Sequence, residues 1–421
     1  MNKHIVCFFR RSLWLLIVPW GSAQGQSVAP LADTGAPPVV VAAPVVMVAV
    51  PAPQPPPPPR FRTFTDYATT PGQQAVAGRL DTLAKNPGAD LAGVLDILSH
   101  LPATQVGAAL EQLSPTFYAA DSAAAASAAQ RHVGLVASYL DDGVPDETKP
   151  FSLWTAGLNG SGDGPQAQSS TRTAGGAGGG DYRLGRNLRF GFAFGYTHSD
   201  TTQPGSGSRS QMDAFNYGSY ATWKFAHGYI EAIFNLAEES YSDQREIAFG
   251  SLERLALSQH DGRGGSGYLG GGYDLTLAGI RLRPNAALEY GRFHQAAFTE
   301  SGAGSLNMVL DDRTDTSLQS RIGLRADYAI KLPFVQLTPR ATATWGHDFN
   351  TDPSTLQANF AQGGTAPFTL QGPPGTADGL ETSAGFSAAF FGVNLFADYV
   401  LTFAGSSGLG HSMQAGLWTR F

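Results

Sequence analysis

Residues 188–196 read Leu-Arg-Phe-Gly-Phe-Ala-Phe-Gly-Tyr, and every large apolar side chain falls on an even-numbered position. Successive side chains of an extended strand point to opposite faces. Leu188, Phe190, Phe192, Phe194 and Tyr196 therefore share one face, and Arg189, Gly191, Ala193 and Gly195 the other. The same period returns further along. From Ile280, the residues Leu282, Pro284, Ala286, Leu288 and Tyr290 oppose Arg281, Arg283, Asn285, Ala287 and Glu289. Ile322, Leu324, Ala326 and Tyr328 oppose Gln319, Arg321, Arg325 and Asp327. Val335, Leu337, Ala341, Ala343 and Trp345 oppose Gln336, Thr338, Arg340, Thr342 and Thr344, and a late apolar row runs from Val393 to Phe403.

Alternation alone also fits a soluble sandwich. Three features favour a transmembrane β-barrel instead. The apolar rows run about 9–11 residues, the length of a tilted strand crossing a bilayer. Many end in Tyr or Trp (Tyr196, Trp223, Tyr290, Tyr328, Trp345), as aromatic girdles do. The opposing faces carry arginines, each costing about 2–4 kcal/mol at a lipid-facing midplane position, so they belong to a wet lumen. The pattern predicts twelve strands near 152–159, 172–184, 188–200, 209–224, 228–246, 253–277, 280–298, 305–330, 334–349, 379–391, 392–403 and 411–421. Tight connections fall at Gly185-Arg186-Asn187, His227-Gly228 and Ala278-Gly279, while other joins are long and rich in Gly, Pro and Thr. Short turns at one end and long loops at the other are the asymmetry of an outer-membrane barrel.

Composition agrees. The chain is 42% hydrophobic but only 14% charged, with 51 Gly and 25 Phe, against about 25% charged in a soluble globule. Past the N-terminus there is no apolar run of about 18–20 residues, which a membrane helix needs. A net charge of −7 lacks the basic footprint of a nucleic-acid binder. The one cysteine, Cys7, lies in a segment expected to be removed, so no disulfide or thiolate site is expected.

Residues 1–23 read as a secretory signal: Lys3, Arg10 and Arg11, then the apolar Leu13–Trp20, then Gly21-Ser22-Ala23. The pair Arg10-Arg11 raises twin-arginine export, but a barrel crosses the inner membrane unfolded, which favours ordinary secretion. Residues 24–72 form an Ala/Pro/Val-rich segment containing Pro55–Pro59, expected to be a disordered linker or vestigial passenger. Residues 73–143 take a helical period. Leu91, Val94, Leu95 and Leu98 share a face, as do Val106, Leu110 and Leu113, with Asp90 a candidate N-cap. From Ala119 the sequence is almost wholly Ala and Ser. A helix of about 26 residues within 115–142 is predicted, about 39 Å long at ~1.5 Å per residue, slim enough for a pore; the alternative is an ordinary Ala-rich surface helix. The barrel is expected over 150–421.

Over residues 85–421 the chain resembles the translocator domain of the autotransporter (type V secretion) family. The resemblance rests on ordered phrases: Leu101-Pro102 through Leu110-Glu111-Gln112-Leu113-Ser114, then Trp154 and Gly157, then Gly178–Asp200, Ile280–Phe293, Thr314–Tyr328 and Leu337–Phe349, and a last strand closing on Arg420-Phe421. It implies a twelve-stranded antiparallel barrel with an α-helix in its pore, a monomer in Gram-negative outer-membrane lipid. It further implies handling by periplasmic chaperones and insertion by the barrel-assembly machinery, with Phe421 as assembly signal. Two departures stand out. The aromatic expected two residues before the final Phe is replaced by Thr419, with Trp418 beside it, and no Asn lies between Asn86 and Asn159, so the in-pore self-cleavage of some members is not expected. The passenger is also missing: about fifty residues separate the signal from the first helices.

Chemistry-bearing motifs are few. Gly262-Arg263-Gly264-Gly265-Ser266-Gly267 matches a dinucleotide-binding pattern, but an alternating run rather than a helix follows. The glycines instead suit strand curvature or close packing on the pore helix. Neither a serine-hydrolase elbow nor a His-Glu-x-x-His zinc pattern appears. Neighbours such as His260-Asp261 and His347-Asp348 point to opposite faces of a strand. No enzyme activity, cofactor or metal is expected. The lumen-lining set is Arg281, Arg283, Glu289, Arg321, Arg325 and Arg340, expected to hold the helix and pair across the lumen rather than select a solute. The expected function is translocation and display of a short N-terminal segment. The alternative is a porin-like or structural barrel with a periplasmic Pro-rich tether.

Overall fold

The computed structural model describes residues 63–142, 149–164, 169–362, 367–405 and 408–421. The expected signal peptide and the linker up to residue 62 lie outside the described residues.

Among the described residues, twelve long strands run antiparallel in chain order. They are β1 (Phe151–Asp163), β2 (Ser170–Leu184), β3 (Leu188–Thr202), β4 (Arg209–Phe225), β5 (Gly228–Phe249) and β6 (Leu252–Tyr273), then β7 (Ile280–Gln295), β8 (Arg313–Tyr328), β9 (Gln336–Asp348), β10 (Asp378–Phe390), β11 (Val393–Ala404) and β12 (Leu409–Arg420). Each pairs with its neighbours in sequence, and β12 returns to β1 with Ser152 opposite Arg420 and Ser161 opposite His411. The sheet is thus closed and has no edge, which a bilayer requires because it cannot hydrogen-bond a free strand edge. No helix among the described residues is long and apolar enough to cross a membrane.

The period of two becomes an inside and an outside. On β3, Leu188, Phe190, Phe192, Phe194 and Tyr196 are exposed on the outer wall, and Arg189, Gly191, Ala193 and Gly195 face inward. Trp223, Tyr290, Tyr328 and Trp345 also stand on the outer surface. The outer face then changes character along the strands. On β5 it runs Ile230, Ala232, Phe234, Leu236 and then Glu238, Ser240, Ser242, Gln244, Glu246; on β3, Tyr196 gives way to His198 and Asp200. β5 has 22 residues, roughly 73 Å at ~3.3 Å per residue, whereas spanning takes about 9–11. The wall formed by β5 and β6, 22 residues each, therefore stands well clear of the apolar band.

The two ends differ. At one, connections are tight: 185–187, 226–227, 278–279 and 391–392. Ala278 and Gly279 have φ of 51° and 83°, and Phe391 and Gly392 of 49° and 85°, the paired positive values of a type I′ hairpin turn. At the other end lie the long connections 296–312 and 349–377. Four short strands from these connections, Phe298–Thr299, Met308–Leu310, Thr355–Phe360 and Phe368–Gln371, form a small separate sheet.

That sheet is half of a cap. The other half is three helices: α1 (Pro71–Leu83), α2 (Ala89–Ser99) and α3 (Ala103–Gln112). α1 starts where Thr70 accepts from the Gln73 amide and Pro71 occupies the first helical position, which needs no N–H. Val76, Leu80, Leu91, Val94, Leu98, Val106 and Leu110 pack into one core with Ile247 and Leu252 of the protruding wall and Met308, Leu310, Leu356, Phe360 and Leu370 of the small sheet.

Several expectations are corrected here. The expected strand 305–330 begins only at Arg313, because Met308 and Leu310 are buried in the cap and not turned to lipid. The expected strand 253–277 breaks at Asp274, whose amide bonds the His227 carbonyl; Leu275–Leu277 then pairs with β7 as the end of its hairpin. The linker does not extend to 72: Phe64 is buried, its amide donates to Asp81 at 2.8 Å, and α1 starts at Pro71. Asp90 is not an N-cap. Gly88 holds that place, and the Asp90 carboxylate accepts from Arg254 and the Ser305 amide.

Candidate functional site

The site is the lumen and the helix that runs through it. α4 (Ala119–Asp142) has 24 residues, about 36 Å at ~1.5 Å per residue. At its start Asp121 accepts from Ser210 (2.9 Å) and Ser122 donates to Asp315 (2.5 Å), both at the long-loop end of the wall. At its finish Asp141 meets Arg283 and Arg325, next to the tight 278–279 turn. The helix therefore enters from the capped end and leaves at the end with the short turns.

Small side chains let the helix fit. Ala124, Ala125, Ala128 and Ala129 pack against Met212, Ala214, Tyr241 and Phe293. Lower down, Val133, Val136, Tyr139 and Leu140 pack against inward Trp154, Leu158, Tyr220, Ile233 and Trp418. The wall gives way where helix side chains are large. A Cβ at Gly195 would lie 2.5 Å from His132 Nδ1, and one at Gly160 would lie 3.0 Å from Arg131 Nη1. Of the glycines expected to allow strand curvature or packing on the helix, Gly262 and Gly264 pack against the wall and not the helix. Cβ atoms at Gly262 and Gly264 would strike Glu239, Tyr241 and Phe293 of the wall itself, and β6 continues as strand through them.

Polar contacts then set the register of the helix. Tyr139 Oη donates to Asp181 (2.5 Å), Tyr220 Oη donates to the same carboxylate (3.1 Å), and Trp154 Nε1 donates to Tyr220 Oη (2.8 Å). Tyr139 also stacks on Trp154 with ring centroids 5.0 Å apart. Arg283 Nη1 donates to Asp141 at 2.7 Å and Arg325 Nη1 lies 3.2 Å from it. Carboxylates at a helix C-terminus oppose the helix dipole, and two guanidiniums offset that.

The sequence-derived lumen residues all face inward and divide into two groups. Arg283 and Arg325 grip the helix while also pairing with Asp274 and Asp327. Arg281 pairs with Asp327 (3.1 Å), Arg321 with Glu381 (3.1 Å) and Arg340 with Asp398 across the wall. Glu289 is buried among them with Oε2 unpartnered by the described residues. Phe421 lies outside the lumen, exposed, its amide bonded to the Phe151 carbonyl at 2.9 Å. Trp418 faces inward toward Tyr139 and is not a girdle residue replacing the aromatic absent at 419.

Two clusters escaped the sequence reading. One latches the cap: Arg245 of β5 makes two bonds to Glu300 (2.8 and 2.6 Å) and one each to the carbonyls of Gln112 and Leu306, while Tyr118 Oη donates to Glu300 at 2.7 Å. At the cap's edge, Arg254 and the Ser305 amide hold the Asp90 carboxyl well below the usual carboxylate range. The other cluster brings Asp121, Asp243 and His260 together in the buried interior, close enough for a metal ion. An i, i+2 reading of β5 alone would have put Glu239, Asp243 and Arg245 inside, but the partners come from α4, β6 and a loop.

Comparison with known proteins bears on the assembly. The Autotransporter beta-domain family model matches residues 153–400, more than half of the chain. The solved translocator domain of autotransporter NalP from Neisseria meningitidis superposes with a TM-score of 0.60 at 19% identity, over 73% of this chain and 100% of that one. The β-domain of the Bordetella autotransporter BrkA gives 0.50 at 21% identity, over 65% of this chain and 100% of that one. No curated protein sequence matches. At these identities the superpositions speak to fold; membership comes from the matched domain model, which spans the strands from Leu153 in β1 to Val400 in β11. The chain belongs to the autotransporter β-domain family.

Proposed function

We propose that this outer-membrane translocator barrel carries its own N-terminal segment through the pore and displays it, with the α1–α3 cap, at the cell surface. The observation that carries the reading is the direction of α4: its N-terminal end sits at the long-loop end and its C-terminal end at the short-turn end. In outer-membrane barrels the long loops are extracellular and the short turns periplasmic. A chain that runs down the pore from the long-loop end has everything before Ala119 on the outside. The cap supports this, since a core of that size would not fold in the lumen. Exposed Phe421 beside Phe151 at the short-turn end suits a terminal signal read from the periplasm by the barrel-assembly machinery after chaperone delivery, with the closed barrel working as a monomer.

An epitope tag inserted after Gln26 tests display. External protease should remove it from intact cells. A tag protected until the outer membrane is breached overturns the reading and restores the periplasmic tether.

A further inference from the structure

The interior of the protruding wall holds a cluster that threading does not use. Asp121 in the first turn of α4, Asp243 of β5 and His260 of β6 each offer a ligand atom within 4.8 Å of the other two, and all three residues are buried. The three side chains are oriented from outside the cluster. Ser210 donates to Asp121 Oδ1 and Ser258 to Asp243 Oδ2, both at 2.9 Å. The His260 ring is sandwiched between Tyr241 (centroids 4.6 Å apart) and Phe298 (4.2 Å). Asp121 Oδ2, Asp243 Oδ1 and both ring nitrogens of His260 are buried with no hydrogen-bond partner among the described residues.

Buried polar atoms without partners are rare, because each costs about 1–3 kcal/mol. A proton on His260 is the simplest occupant, yet its Nδ1 lies 3.3 Å from Asp243 Oδ2 and its Nε2 4.0 Å from Asp121 Oδ2. Imidazolium–carboxylate hydrogen bonds are shorter, about 2.7–2.9 Å. Bonds of about 2.0–2.2 Å to one tetrahedral ion place its donors roughly 3.3–3.6 Å apart. The Nδ1–Asp243 separation already suits that, and Asp121, whose nearer contact is to Nε2, still offers an oxygen in a set whose ligand atoms all lie within 4.8 Å of one another. Arg313 and Glu239 also face the cluster and contribute opposite charges. Two carboxylates and one imidazole form a donor set that suits a divalent cation. One imidazole with two carboxylates suits a borderline first-row ion better than Ca2+ or Mg2+, which take six or more oxygens or retain several waters.

We infer that Asp121, Asp243 and His260 bind one divalent transition-metal ion of the zinc type, with water in the fourth position, tying the first turn of the pore helix to the wall. Full-length protein, folded in detergent and stripped with EDTA, is incubated with Zn2+, passed through a desalting column and analysed for metal. The expected result is one equivalent of zinc in the wild type and a loss of at least tenfold in His260→Ala and in the near-isosteric Asp121→Asn. Both variants are checked for the heat-shifted gel band of a folded barrel. If His260→Ala lacks that band, Asp121→Asn decides. Co2+ in place of zinc should give the intense visible absorption of a tetrahedral site in wild type only. A wild type that retains no zinc overturns the inference whatever the variants do, and so do folded variants that retain as much as wild type.

Discussion

Placing one arginine at two heights on the same outer surface tests where the bilayer ends. Phe192 is the middle of the outward row of β3, 54% exposed, and lies between Gly180 of β2 and Ser219 of β4. Ser242 of β5 also points outward, six positions past Leu236, the last apolar residue of its row. Six residues correspond to about 20 Å along a strand at ~3.3 Å each, which puts Ser242 in water. An arginine on the lipid face costs about 2–4 kcal/mol near the midplane and about 0–1 kcal/mol at the interface. Phe192→Ala serves as reference, because it removes the ring without adding charge. Phe192→Arg should therefore be less stable than Phe192→Ala by about 2–4 kcal/mol, roughly 30- to 900-fold in the folding equilibrium. Ser242→Arg should lie within about 0.5 kcal/mol of wild type. The assay is reversible urea unfolding in phospholipid vesicles, followed by gel mobility without boiling. Equal penalties at the two positions, or a negligible one at Phe192, would refute the placement of the apolar band.

Three further outcomes follow from particular contacts. Arg245→Ala leaves the buried Glu300 carboxylate without its guanidinium, a loss of about 3–5 kcal/mol for a broken buried pair; limited proteolysis should then cut within α1–α3 while the barrel band persists. Gly195→Leu drives a side chain into His132 and should cost about 1–3 kcal/mol through overpacking, displacing α4 and raising single-channel conductance in a planar bilayer; unchanged conductance would mean the helix does not fill the pore there. Asp90 is held below the usual carboxylate range by Arg254 and the Ser305 amide, so its contribution is present above the unfolded value of about 3.9 and is lost as pH falls toward the folded one. The stability difference between wild type and Asp90→Asn should accordingly shrink between pH 5 and pH 3, read by thermal melting of the cap, and a difference that grows on acidification would contradict the ion pair.

The barrel was legible because lipid imposes a rule on every second residue. Leu188–Tyr196 and Ile280–Tyr290 obey it, and their inward partners Arg189, Arg281 and Arg283 could go nowhere but the lumen. That rule lapses where the wall leaves the membrane. Outward Glu238–Glu246 and inward Ile247 on β5 follow the opposite logic, that of a water-soluble sheet with its apolar side toward a core. Met308 and Leu310 were read as the start of a transmembrane strand for this reason. Their alternation is real, but the apolar face it defines belongs to the cap.

The lumen contacts were half legible, and the reason is the geometry of a threaded chain. Which residues face inward follows from strand parity, so Arg283 and Arg325 could be named. What they grip depends on the depth of the helix, a long-range registration that no local pattern encodes. One local signal was nevertheless present. Asp141 lies at the end of an Ala-rich helix, where a carboxylate opposes the helix dipole and cations are preferred. A helix with such an end favours positive partners, and inward Arg283 and Arg325 near the 278–279 turn supply them. The same reasoning fails for Asp121, which suits its helix N-terminus without any partner. Its convergence with Asp243 and His260 arises because α4 and the β5–β6 hairpin, more than a hundred residues apart in sequence, close around a single point in the interior.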